Sequence, residues 1–128
     1  MKKVVLMVDV FTTELPKSIQ RLDLKSFYYR YDIKSTNRLI EGKDLSGFMH
    51  NDLYVEGDLT QSEIMRSWLS AVYPIDQELK LLNDFNAFTS GITGDAAKKV
   101  EYETYLAKRK DFREQLALDF ETYMADQL

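Results

Sequence analysis

An α+β fold is predicted by three features of this 128-residue chain. A strand-like alternation lies near its start, the hydrophobic spacing changes at Gly57 to Glu63, and a long charged helical repeat closes the chain. Ser26 to Lys34 carries the alternation. Phe27, Tyr29, Tyr31 and Ile33 take one face and Tyr28, Arg30, Asp32 and Lys34 the other. Successive side chains of a strand point to opposite faces, so this segment describes a sheet with one buried and one wet face. After Thr60 the apolar residues recur at helical spacing. The expected organisation is a β-rich scaffold over residues 1–57 and a helical region over 58–128. The strands are mainly antiparallel, roughly three to five over about residues 3–56, and about three helices follow, the last one long. The whole is expected to be one compact unit with an extended C-terminal helix.

Within the first half, Lys3 to Phe11 is apolar and β-branched and reads as a strand buried on both faces. Met1 to Val10 also has the charged start of a signal peptide. Asp9 interrupts its apolar run and no small-residue cleavage site follows, so secretion by a signal peptide is not expected. Thr12 to Gln20 contains Pro16 and reads as a loop or a short helical turn. Ser35-Thr36-Asn37 is a turn signal, with Arg38 to Glu41 as the returning strand of a hairpin. Gly42 to Gly47 reads as a further turn region. Phe48 to Glu56 is the last strand, weakened in its middle by His50-Asn51-Asp52.

The second half opens on Thr60-Gln61-Ser62-Glu63, the pattern of a capping box, with Leu59 and Ile64 at the positions of a hydrophobic staple. Ile64, Trp68, Leu69 and Val72 form one stripe. Pro74 ends this helix, because its ring clashes with a preceding turn, and opens the next. Ile75, Leu79, Leu82 and Phe85 or Asn86 are the expected apolar face of that second helix. Ser90 to Asp95 holds two glycines and stops it, with Thr93 or Asp95 as the next cap. The third helix runs over about Ala96 to Ala125. Tyr102, Tyr105, Arg109, Phe112, Leu116, Asp119 or Phe120, and Tyr123 follow near-heptad spacing along it.

Composition excludes much chemistry. The chain has no Cys and one His, which removes disulfides, thiolate chemistry and two-His metal sites within a single chain. Its net charge of −4 argues against nucleic acid as the main partner. No run is apolar for the roughly 18 residues that a membrane span needs. Asp9 lacks a second carboxylate or a Gly-rich turn and reads as an ordinary strand-end residue. His50 lacks a nucleophile motif and reads as a loop or edge-strand residue. The carboxylates Glu41, Asp44, Asp52, Glu56 and Asp58 do not match the ligand order of a calcium loop and read as a solvated surface. Lys108, Lys110 and Arg113 interleave with acidic residues as a salt-bridged face. Arg109 instead falls in the apolar seam, where a charge costs stability and can set register or partner choice. No catalytic, cofactor or metal site is expected, and the protein is not expected to be an enzyme. The expected contact residues are Tyr102, Tyr105, Arg109, Phe112, Leu116 and Tyr123, an aromatic seam offered to a protein partner.

Leu59-Thr60-Gln61-Ser62-Glu63-Ile64, Tyr73-Pro74-Ile75-Asp76-Gln77-Glu78-Leu79, and Glu101-Tyr102 with Tyr105 together resemble a helical segment of small bacteriophage and prophage virion accessory proteins. The resemblance spans about Leu59 to Lys108 and lies in layout. It implies a non-enzymatic tail, fibre or assembly-associated protein, located in the virion or the bacterial cytoplasm. Its implied partners are copies of itself or other virion proteins. The alternative is a regulatory or inhibitory protein, encoded by a phage or mobile element, that occupies a host protein by mimicking acidic ligands through the Glu41–Asp58 carboxylates.

Overall fold

The computed structural model describes residues 3–92 and 94–128. Four strands precede three helices: β1 (Val4–Thr12), β2 (Ile19–Asp23), β3 (Ser26–Ile40), β4 (Lys43–Glu56), α1 (Gln61–Val72), α2 (Ile75–Thr89) and α3 (Ala97–Asp126). The strands form one antiparallel sheet in the order β1-β4-β3-β2. The α+β class and the long final helix are therefore as the sequence predicts. The chain divides into two compact units, Met1–Ala71 with Gln127 and Val72–Asp126 with Leu128. The division falls after Ala71, so α1 belongs with the sheet.

The core of the first unit is the alternating face read from the sequence. Phe27 pairs with Val55, Tyr29 with Leu53 and Ile19 with Tyr29, so their side chains share one face. All five are buried, as are Ile64 and Trp68 of α1. The Trp68 indole N–H donates to the Tyr31 hydroxyl at 3.2 Å, giving the polar tip of each ring a partner inside an apolar contact. The Thr60 cap is present, with the Glu63 amide donating to the Thr60 hydroxyl at 3.1 Å. The reciprocal arm of the expected box is replaced, because the Thr60 amide donates to the Asp58 carbonyl at 3.0 Å.

Several strand expectations are corrected. β3 runs unbroken through Ser35-Thr36-Asn37, and the hairpin turns at Glu41-Gly42 instead. Both turn residues have positive φ, 51° and 77°, the two-residue turn whose twist suits a right-twisted hairpin. Gly47 is not in a turn but inside β4, where it admits the Phe11 ring. A Cβ there would lie 2.5 Å from the Thr12 carbonyl oxygen and 2.6 Å from Phe11 Cζ. β2 replaces the end of the expected Thr12–Gln20 loop. β1 is an edge strand with Val5, Met7 and Val8 exposed, so it is not buried on both faces.

The second unit is the antiparallel pair α2–α3. Pro74 separates α1 from α2 as expected, and Gly91 at φ 76° turns the chain out of α2. The Asp95 carboxylate accepts from the Ala97 amide at 3.0 Å, capping α3. The alternative cap, Thr93, lies outside the described residues. At about 1.5 Å per residue, α3 is about 45 Å long.

Candidate functional site

The expected seam is present on α3, and it is largely spent inside the chain. Tyr105 and Phe112 are each 5% exposed and Leu116 2%, so these three are covered by the chain's own residues. Tyr102, Arg109 and Tyr123 are half-buried. Phe85 stacks on Tyr102 at 4.5 Å between ring centres, and Tyr73 meets Tyr105 edge-on at 4.7 Å. The Tyr105 hydroxyl donates to Glu78 at 2.7 Å and accepts from the Arg109 guanidinium at 3.3 Å. Burial, with the Glu78 carboxylate beside it, pushes the Tyr105 phenol above its ordinary value of 10.0 despite Arg109. Arg109 is thus held by the seam's own Tyr105, while its Nε is buried without a hydrogen-bond partner among the described residues. Asp84 of α2 sits 3.5 Å from Lys98 of α3 and 3.1 Å from Lys80, and the Lys80 hydrogen bond leads in lowering its pKa.

Both helices of this unit expose apolar side chains, Val100, Leu106, Leu118 and Met124 on α3 and a row on α2. The α2 helix turns Leu81, Phe85 and Phe88 to its half-buried side, so of the expected stripe Phe85 faces inward and Ile75, Leu79 and Leu82 do not. Ile75, Leu79 and Leu82 are 72%, 52% and 40% exposed. They recur at i, i+4 and i+7, so they form one row along a single face. Sequence spacing found this row but could not say which of two apolar rows turns inward.

A second arrangement, on the sheet, was missed. His50 and Asp52 lie in β4, a central strand, not in a loop or an edge strand. They are two residues apart and share a face, so their side chains meet, with His50 Nδ1 2.5 Å from Asp52 Oδ1. His50 is 2% exposed and Asp52 6%. On the other side of the ring, His50 Nε2 lies 3.1 Å from the Thr12 hydroxyl. Arg30, opposite Asp52 on β3, brings its Nε to 3.5 Å from Asp52 Oδ2. Two bulges build this cluster. Val8 and Asp9 of β1 stand opposite Asn51, and Asp32 and Ile33 of β3 stand opposite His50. Asp9 and Asp32 take positive φ, 55° and 53°, and the Asp9 amide donates to the Asn51 side chain at 3.1 Å. The extra residue in β1 flips the strand's phase, so Thr12 rather than Phe11 stands on the face of His50. The i, i+2 spacing of His50 and Asp52 within a strand was the available signal; the bulges left none.

Comparison with family models, curated proteins and solved structures finds no match. The likeness to virion accessory proteins therefore stands on the quoted residues alone. Other expected features are dispersed. Glu41 lies in the turn before β4 and Glu56 at the far end of that strand, Asp58 pairs with Lys25, and Asp52 is buried with His50. The acidic surface behind the inhibitor reading is not assembled in one place. Lys99–Glu103 and Lys110–Glu114 pair at i, i+4, each at 3.9 Å, along the charged face of α3. Among the described residues, no His and carboxylate group converges as a metal site, and no helix is long and apolar enough to cross a membrane.

Proposed function

We propose that this chain is a structural interaction protein that associates with a second copy of itself through the outer row of α2. An assembly of the virion kind, to which the layout resemblance points, is the setting in which such self-association would act. The observation that carries this reading is the exposed row Ile75, Leu79 and Leu82 on a helix with no fully buried residue. Two copies of the row, laid antiparallel about a two-fold axis, bring Leu79 against its counterpart and Ile75 toward the counterpart of Leu82. Such a pairing is isologous and closes at the dimer.

Fully burying an aliphatic side chain is worth about 1.5–3 kcal/mol, and association itself costs several. With the row already partly covered, the surplus supports a weak dimer, with a dissociation constant of about 10⁻⁴ M at best. Light scattering on the purified chain tests the reading. The dimer should form in the sub-millimolar range, and Leu79→Glu should return it to monomer with unchanged helix content. A wild-type chain that stays monomeric to millimolar concentration removes the proposal.

A further inference from the structure

We propose that Thr12, His50 and Asp52 form a nucleophilic site that accepts an acyl group from a small ester at Thr12 Oγ1. The site lies on the sheet, uses no residue of α2, and is independent of the self-association reading. It also departs from the expectation of a protein without enzymatic activity.

The order of atoms comes first. Hydroxyl, imidazole and carboxylate are linked through the two different ring nitrogens, at 3.1 Å on the Nε2 side and 2.5 Å on the Nδ1 side. That is the connection by which a base takes a hydroxyl proton while a carboxylate orients the ring. The Thr12 hydroxyl has one hydrogen and two places to direct it. It donates to the Glu14 carbonyl at 2.9 Å, or it turns to His50 Nε2 and makes the ring the acceptor. In the second arrangement Nδ1–H donates to Asp52, and the oxygen is poised for attack.

The backbone is irregular at the same place. Both neighbours of β4 bulge within one residue of each other at His50 and Asn51, and each bulge holds an Asp in the left-handed region. Non-glycine residues are uncommon there, and Asp is among those that adopt it as single residues. Bulges and strained residues gather where a side chain must be re-aimed for function. Here the re-aimed side chain is Thr12.

Thr12 also opens to solvent through a groove. Thr12, Asp52 and Arg30 line a groove of about 640 Å³, whose apolar wall is Phe11, Leu15 and Pro16. A short acyl chain fits that wall, and Arg30 offers a permanent positive charge for the oxygen that becomes negative when the carbonyl is attacked. In the reaction, Thr12 Oγ1 bonds to the carbonyl carbon and its proton passes to His50 Nε2. The ester C–O bond breaks, and the alcohol leaves with that proton. Water then attacks the acyl-threonine through the same base, releasing the carboxylic acid and restoring the hydroxyl. Asp52 does not touch substrate and is a positioning residue.

The test uses the full chain and p-nitrophenyl acetate. A stoichiometric burst of p-nitrophenol should precede slow turnover, and peptide mapping should place the acetyl group on Thr12. Thr12→Ser should retain both signals, Thr12→Val should lose both, and His50→Gln should slow the burst by about 10²–10⁴-fold. Asp52→Asn should shift the pH profile of the burst as well as lower it. No burst from either the wild type or Thr12→Ser, or acetylation confined to lysines, would overturn the proposal. So would a burst that survives in Thr12→Val. Circular dichroism of each variant separates loss of chemistry from loss of fold.

Discussion

Gly47 and Tyr31 show how single residues set the sheet. A methyl group at Gly47 would meet a backbone oxygen of the neighbouring strand, which cannot rotate away as a side chain can. Gly47→Ala should therefore destabilise the chain by about 1–3 kcal/mol, the usual cost of overpacking. Gly94→Ala, which meets open space, should be near neutral in the same urea titration. Tyr31 makes a different point. Burial, then the charge of Asp32, raises its phenol above the ordinary 10.0, although Trp68 and Asn51 donate hydrogen bonds that favour ionisation. The folded state thus holds this proton more tightly than the unfolded state. Its contribution is fully present below pH 10.0 and is lost as pH rises through the folded-state value. Stability measured from pH 9 to 12 should fall less steeply in Tyr31→Phe than in the wild type.

At the scale of elements, the helices were far more legible in the sequence than the strands. Thr60, Pro74, Gly91 and Asp95 each act within a few residues, so their spacing reveals the helix ends directly. Thr60→Ala should cost about 1 kcal/mol in chemical denaturation, the ordinary worth of an N-cap. Strand phase has no such local marker beyond the alternation itself. That alternation holds from Phe27 to Tyr31 and then breaks at the Asp32 bulge, where one extra residue exchanges the faces. Ser35-Thr36-Asn37 is turn-like in composition, yet the pairing of Leu39 with Asp44 and Ile40 with Lys43 carries the turn to Glu41-Gly42. The polar run His50-Asn51-Asp52 looked like a defect in a strand. His50 and Asp52 are buried with Thr12 and Arg30 arriving from the two flanking strands, which no local window of sequence can contain.

For the molecule as a whole, the aromatic seam of α3 illustrates the same limit. Its periodicity gave the correct inward face of the helix, but periodicity does not distinguish an intramolecular cover from a partner. Tyr105, Phe112 and Leu116 have their cover within the chain. Among the exposed apolar side chains of this unit, Ile75, Leu79 and Leu82 on α2 stand at i, i+4 and i+7 spacing, and this row is proposed to join two copies. The chain has no cysteine of its own, so a single introduced thiol reports on proximity without background. Leu79→Cys, held at sub-millimolar concentration under mild oxidation, should form a disulfide-linked dimer rapidly. Leu24→Cys, a more exposed site on the other unit, should link only slowly by random collision. Equal, slow linkage at the two positions would contradict self-association through α2.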